Sequence, residues 1–246
     1  MTVPPTRSRR PIALAALALA AALAAAGCAA FGPAASPTLP PVSSSAPAST
    51  SAPSPTAPAA VACPTSAPPP LGTNDRATIT LDTTQGKIVI LVEGGLAPNA
   101  TGNFVALARC GFYDNVIFHR IVPGFVIQGG DGLWGREPIF AWPRVGHGGP
   151  GYTIQDDPVT TPYGRGVVAM ARTPAPNSAG SQFFIVLDDK ARGSLESANT
   201  YAILGRVVEG MDAVDSIAGT PTTTDGRNAP TTDPPPTITK VTVSGP

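Results

Sequence analysis

The chain has 246 residues, a formal net charge of zero and only 13% charged residues, with 30 prolines and 26 glycines. That length permits one or two domains, and the even charge balance supplies no basic footprint of the kind that nucleic-acid binding requires. The charges are unevenly placed. After Arg7, Arg9 and Arg10 none occurs until Asp75, and removing those three of 16 basic residues leaves 13 against 16 acidic, a net charge of −3.

The N-terminus has the three parts of an export signal: a positive region at Arg7, Arg9 and Arg10, an apolar run from Ile12 to Leu23, and the small residues Ala24-Ala25-Ala26-Gly27. A signal peptide is therefore expected over residues 1–27. The apolar run falls short of the roughly 20 residues that a bilayer span needs. Small residues ending in Gly27-Cys28 resemble the bacterial lipoprotein signal. That resemblance implies acylation of Cys28 and anchoring at the outer face of the cytoplasmic membrane, whereas ordinary cleavage after an Ala-x-Ala site would leave a secreted protein. Residues 28–74 follow as an uncharged Ala, Pro, Ser and Thr tract. With few large apolar side chains to offset backbone ordering, it is expected to be a disordered linker, reaching roughly 140 Å if extended.

From Ala77 the pattern becomes that of a folded domain, expected over residues 75–246. Ile79 and Leu81 alternate with Thr78, Thr80 and Asp82, which predicts a half-buried strand; Gln85-Gly86 turns the chain, and Lys87 to Val92 returns it. Pro98 suits a first helical turn, Phe104, Leu107 and Ala108 share helical spacing, and Gly111 ends the helix. Strands are predicted at 116–121 and 125–128 around Pro123-Gly124. A long glycine-rich loop follows over 131–165, then strands at 166–170, 182–186 and 201–207. A short helix over 211–217 and a last alternating strand over 238–243 complete the chain. Many short strands with two helices predict a mostly β, closed antiparallel barrel capped by helices.

Two runs carry the chemistry. Phe118-His119-Arg120-Ile121-Val122-Pro123-Gly124-Phe125-Val126-Ile127-Gln128-Gly129-Gly130-Asp131 sets an arginine, an aromatic and a glutamine on two short apolar segments, and Gly180-Ser181-Gln182-Phe183-Phe184-Ile185 lies roughly fifty residues downstream. Together they resemble the signature of the cyclophilin-type peptidyl-prolyl isomerases. The resemblance covers about residues 77–245 and implies an eight-stranded barrel, no cofactor, and isomerisation of X–Pro bonds. An X–Pro bond rotates over a barrier of about 18–20 kcal/mol because twisting breaks amide resonance. Catalysis needs no covalent step: the protein must hold the proline ring and favour the twisted state, whose nitrogen gains a lone pair.

The resemblance implies that Arg120 is the catalytic donor to that nitrogen. It places Phe125, Val126 and Phe184 in the proline pocket, and Gln128 against the substrate backbone, orienting the arginine. Gln182 matches a second polar residue of the groove. Ala171 and Arg172 belong to the segment whose backbone pairs with an extended substrate, which tolerates many residues before the proline. Gly146, within Gly146-His147-Gly148-Gly149-Pro150-Gly151-Tyr152, matches the bacterial glycine-rich loop beside the groove. Leu195 matches a pocket leucine, and Tyr201 stands where many members carry a pocket histidine. His119, next to Arg120 on a strand, is expected to face the other way and to act as a structural hydrogen-bonding residue. Residues 133–145 are an insertion with Trp134, Phe140 and Trp142; these aromatics either extend the groove or pack back on the barrel.

With Cys28 assigned to the lipid, Cys63 and Cys110 remain, and an oxidising exported setting invites a disulfide between them. It would pin the end of the linker to the barrel; two independent thiols are the alternative. With only two histidines and the cysteines committed elsewhere, no metal site is expected. No phosphate loop and no Gly-x-Ser-x-Gly elbow are present. The expected partners are proline-containing unfolded or exported polypeptides, with the membrane reached through the N-terminal lipid and no nucleic acid. A monomer is expected. The rival reading is a non-catalytic proline-peptide-binding or chaperone module.

Overall fold

A computed structural model of the protein describes residues 61–138 and 141–246. The signal peptide expected over 1–27, Cys28 with its lipid, the linker up to residue 60, and Phe140 lie outside the described residues.

Strands β1 (Arg76–Thr83) and β2 (Gly86–Glu93) form an antiparallel hairpin in the register Ala77↔Val92, Ile79↔Ile90 and Leu81↔Ile88. Those six side chains are buried, so the alternation read from the sequence is the inward face of the sheet. Helix α1 (Pro98–Arg109) opens on proline and buries Phe104, Leu107 and Ala108. Its N-terminus is capped from far away: the Asp157 carboxylate accepts from the amides of Asn99 (3.3 Å) and Ala100 (2.8 Å) and from the Asn99 side chain (2.9 Å). A negative charge there also complements the helix dipole.

The remaining elements are β3 (Val116–Ile117), β4 (Arg120–Val122), β5 (Val126–Gly129), β6 (Val167–Met170), β7 (Phe183–Val186), α2 (Arg192–Ala198), β8 (Ile203–Glu209), α3 (Met211–Ala218) and β9 (Thr237–Ser244). A 3-10 turn, Asp189–Ala191, leads into α2. The nine strands form one antiparallel sheet in the order β3-β9-β1-β2-β8-β6-β7-β5-β4. Its two end strands, β3 and β4, are successive in the chain and separated only by Phe118 and His119. The sheet therefore curls back on itself, and the chain itself bridges its two edges.

The mostly β antiparallel architecture expected from the sequence is present, with two differences of detail. The run 116–121 is divided, giving nine strands among the described residues instead of eight. Phe118 donates its amide to Pro236 O and Ile121 to Asn228 O, both in loops, so no ladder spans the middle of the run. Among the described residues there are three α-helices instead of two. In α2 only Leu195 is buried, which leaves no apolar periodicity to read, and the helix ends on Asn199 in the left-handed region at φ 45°.

The ordered body also begins ahead of residue 75. Cys63 is disulfide-bonded to Cys110, just past the end of α1 (Cα–Cα 5.0 Å). The Leu71 amide donates to Pro98 O at the other end of the helix. Between them, a Cβ on Gly102 would meet Pro69 O at 2.4 Å, so residues 69–71 lie directly against the helix backbone and only glycine fits there. Among the described residues, no helix is long and apolar enough to cross a membrane.

The bridge closes a loop with a sequence separation of 47. The double variant Cys63→Ser/Cys110→Ser is expected to lose about 4 kcal/mol of unfolding free energy by the chain-entropy argument. Urea denaturation of variant and oxidised wild type measures this, and an unchanged midpoint would refute a stabilising role for the bridge.

Candidate functional site

The site is laid out by the side-chain alternation of four neighbouring strands. Cross-strand pairs Arg120↔Gln128, Gln128↔Phe184 and Phe184↔Ala169 run across β4, β5, β7 and β6 as one row. The next row, Ile121↔Ile127↔Ile185↔Val168, points to the opposite face and is fully buried in the main core. Adjacent residues thus divide between core and site: Phe183 joins the main core while Phe184 joins the other face. The β4–β5 hairpin turns at Pro123-Gly124, where the Phe125 amide donates to Val122 O (3.0 Å) and Gly124 takes φ +72°, a conformation suited to glycine.

On the outward face Val126, Phe184 and Leu195 are buried in a second apolar cluster, against which Phe125, Ala171 and Tyr201 pack while staying partly open to solvent. The Phe184 and Tyr201 rings meet edge to face at 5.4 Å. Tyr201 is held from below by Tyr163, whose hydroxyl donates to Tyr201 O (2.9 Å) and accepts from its amide (3.1 Å). Burial pushes the Tyr163 phenol up to about 12, so it keeps the proton it donates. Tyr163 carries no motif in the sequence, and only its position beneath Tyr201 reveals it.

Along the polar edge the groups form a chain. Arg120 Nη1 donates to Gln128 Oε1 (3.5 Å), and Gln128 Nε2 to Gln182 Oε1 (3.0 Å). Gln182 Nε2 donates to the carbonyls of Gly146 and Gly148 (2.9 Å each). The chain ends on Asp131, a fully buried carboxylate that accepts four backbone amides: Leu133 (3.1 Å) and Trp134 (2.9 Å) at one end of the insertion, Gly146 (2.8 Å) and Gly148 (3.0 Å) at the other. Such a carboxylate satisfies four donors at once, which is why a Gly/Pro-rich loop can stand in one place. Asp131 sits at the end of the first signature run, yet nothing local in the sequence indicates its partners.

Burial lowers the pKa of the half-buried Arg120 guanidinium, and the nearby Tyr201 phenol opposes that shift. Arg172 turns inward: it pairs with Asp156 (3.2 Å) and donates to Thr173 O (3.2 Å) and Ala175 O (2.6 Å). What it leaves for a ligand is backbone. Gly146 likewise has both backbone groups engaged, its amide on Asp131 and its carbonyl on Gln182.

Two clefts flank the Arg120–Gln128 pair. The larger, about 440 Å³, lies between the Gly146–Gly151 loop and Ala171–Thr173 and reaches Gln128 and Gln182. The second, about 310 Å³, adjoins it at Gln128, Gly146 and His147 and is lined by Arg120. Neither is lined by Phe125, Phe184, Leu195 or Tyr201; the residues of the expected proline pocket form a separate apolar patch, Val126, Phe184 and Leu195 with Phe125 and Tyr201 packed against them. His119 departs from its expected place. The chain leaves the ladder at Phe118-His119, so strict alternation does not apply, and His119 lines the second cleft together with Arg120. The Gln182 amide lies beside the ring, but neither ring nitrogen meets hydrogen-bond geometry with a protein group among the described residues.

The sequence model of the cyclophilin type peptidyl-prolyl cis-trans isomerase/CLD family matches residues 78–243. This chain belongs to the cyclophilin-type peptidyl-prolyl cis-trans isomerases. It is 38% identical over 176 residues to peptidyl-prolyl cis-trans isomerase B of Escherichia coli, covering 68% of this chain and 99% of that protein. A probable peptidyl-prolyl cis-trans isomerase of Brucella abortus is 41% identical over 142 residues, covering 57% of this chain and 70% of that protein. The crystal structure of a cyclophilin-type peptidyl-prolyl cis-trans isomerase from Cryptosporidium parvum superposes with TM-score 0.56 and 25% identity, over 69% of this chain and 98% of that one. The same protein solved in the presence of the dipeptide Ala-Pro matches with TM-score 0.55, over 68% of this chain and 98% of that one.

Two measurements test the supports of this isomerase's groove. Asp131→Asn replaces one acceptor oxygen by a donor facing amide N–H groups. It is expected to cost about 2–4 kcal/mol of stability and to speed hydrogen exchange at the Gly146 and Gly148 amides. Unchanged exchange there would refute the clamp. His119 has its pKa lowered from 6.5 to about 4, chiefly by burial, with the Asp131 carboxylate opposing. Between those values the unfolded chain binds the extra proton and the folded one does not. Stability is therefore expected to be undiminished above pH 6.5 and to fall by about 3 kcal/mol as pH drops to about 4. A pH series of urea denaturations with His119→Gln as control measures it; equal slopes in the two proteins would refute the assignment.

Proposed function

We propose that this isomerase turns X–Pro bonds of exported polypeptides without any covalent step, using Arg120 beside the Phe125, Val126, Phe184, Leu195 and Tyr201 patch. The observation that carries the reading is the outward row Arg120–Gln128–Phe184–Ala169, which places a guanidinium two strands from an apolar floor of ring size. The substrate proline rests on that patch. Arg120 donates to the proline nitrogen as it turns pyramidal, and this hydrogen bond is stronger in the twisted state than in either planar one. Gln128 and Gln182 limit where the guanidinium can point. The backbone of Ala171 and Arg172 pairs with the residues ahead of the proline, and the larger cleft beside it accommodates their side chains.

Exported clients and attachment through Cys28 form part of the same reading. The Cys63–Cys110 disulfide supports an oxidising compartment, since such bridges rarely persist in a reducing cytosol. Mass spectrometry of the mature N-terminus distinguishes an acylated Cys28 from simple secretion.

The chemical test is Arg120→Ala. In an isomerisation assay on Ala-Pro peptides, kcat/KM is expected to fall on the order of 100-fold, about 3 kcal/mol of barrier, with far-ultraviolet circular dichroism unchanged. A variant of wild-type activity would overturn the role of Arg120. An inactive wild type that still binds proline peptides would favour the non-catalytic binding module instead.

A further inference from the structure

The 310 Å³ cleft beyond Arg120 has no task in the mechanism above. Its walls come from four separate stretches of chain: His119 and Arg120 at the start of β4, Gln128 on β5, Trp142, Val145 and His147 from the insertion and the loop after it, and Arg227 from the turn ahead of β9. Gln128, Gly146 and His147 border both this cleft and the larger one, so the two are neighbouring compartments that meet at these residues, and Arg120 lines the second.

Direction follows from that placement. If residues ahead of the proline run along Ala171–Thr173 beside the larger cleft, the chain after the proline is directed past Gln128 towards Arg120 and over this second cleft. The walls are already in place there. Asp131 holds both ends of the insertion, and inside it the Arg144 and Val145 amides donate to Ala141 O (2.7 and 3.0 Å). Asp225 holds Arg227 in an ion pair through its Nε (2.6 Å) and Nη2 (2.5 Å) and accepts from its amide (3.1 Å), without itself lining the cleft.

The lining is rich in donors. Two arginines and two histidines, His119 and His147, face the cleft, and no carboxylate does. The hydrogen bond of Arg120 to Gln128 is long, which leaves most of its five N–H groups for other partners. His119 is 6% exposed, and among the described residues neither of its ring nitrogens meets hydrogen-bond geometry with a protein group. A buried polar group in that condition is unusual, and a ligand group arriving from the cleft would satisfy it. Trp142 and Val145 add an apolar wall on which a short methylene chain can lie.

We propose that this cleft is a subsite for an acidic side chain on the first or second residue after the substrate proline. Its carboxylate accepts from His119 and from outward N–H groups of Arg120 and Arg227, and its methylenes pack on Trp142. The assignment rests on the isomerase reading, because that reading sets the direction of the bound chain.

The test uses the full-length protein and two peptide series, Ala-Ala-Pro-Z-Ala and Ala-Ala-Pro-Ala-Z, with Z as Glu, Gln or Lys. Both turnover and calorimetric binding are measured. At one of the two positions the order Glu, Gln, Lys is expected, with about a ten-fold advantage of Glu over Lys that shrinks with added salt. In Arg227→Ala the ratio of Glu to Lys is expected to collapse towards one, whereas Trp142→Ala is expected to weaken the Glu and Gln peptides alike. Equal binding of Glu and Lys peptides by the wild type at both positions would overturn the subsite, as would an advantage retained in full by Arg227→Ala. Binding reads the preference even without turnover, so an inactive but discriminating protein would count against the isomerase reading while upholding the acidic subsite.

Discussion

The register among β4, β5, β7 and β6 ties the core of this protein to its outer groove. One face of these four strands supplies Ile121, Ile127, Ile185 and Val168 to the main core, and the other carries Arg120, Gln128, Phe184 and Ala169. Because side chains alternate, a slip of one residue would send the arginine into the core and an isoleucine into the groove. The burial energy of the isoleucine row therefore also holds the guanidinium at the rim. Stability and the placement of reactive groups are two consequences of one pairing.

Around that sheet, long stretches of chain without regular structure are held by buried carboxylates. Asp157 caps α1 from the loop that follows the insertion, and Asp131 gathers four amides from the two ends of the insertion. Glycine and proline cannot supply packing of their own in such segments. A carboxylate with several acceptor sites can order them through strong, charge-assisted bonds. The consequence reaches the groove, because the carbonyls that Asp131 positions hold Gln182, and Gln182 holds Gln128 beside Arg120. Tyr163 does the same for the apolar side by bonding both backbone groups of Tyr201.

His119 is the local exception to this economy of satisfied groups. It is buried next to a cationic neighbour and stays neutral at ordinary pH, and among the described residues neither ring nitrogen meets hydrogen-bond geometry with a protein group, although the Gln182 amide lies beside the ring. A buried polar group in that condition calls for a partner such as water or a ligand. In the subsite proposed above, the insertion that walls the cleft in front of it is part of the binding surface. Trp134 has a different environment: it packs under the Arg144 guanidinium at 4.7 Å. Trp134 thus packs within the insertion itself, and Trp142 lines the second cleft beside Arg120.

Much of this could be read from the chain alone. Alternation marked the first and last strands and short apolar runs most of the others, Pro98 and Gly111 bracketed α1, and the two signature runs marked the family, because each of these signals lies within a few neighbouring positions. Tertiary structure decided the rest. The division of 116–121 depends on amides bonding to loops more than a hundred residues away, and α2 buries only Leu195, too little to leave a periodic trace. The partners of Asp131, the role of Tyr163 and the cleft shared by His119, Trp142 and Arg227 arise from segments that meet only when the sheet closes. A pattern along the chain records which way a side chain points within its own element, but not what the rest of the fold brings against it.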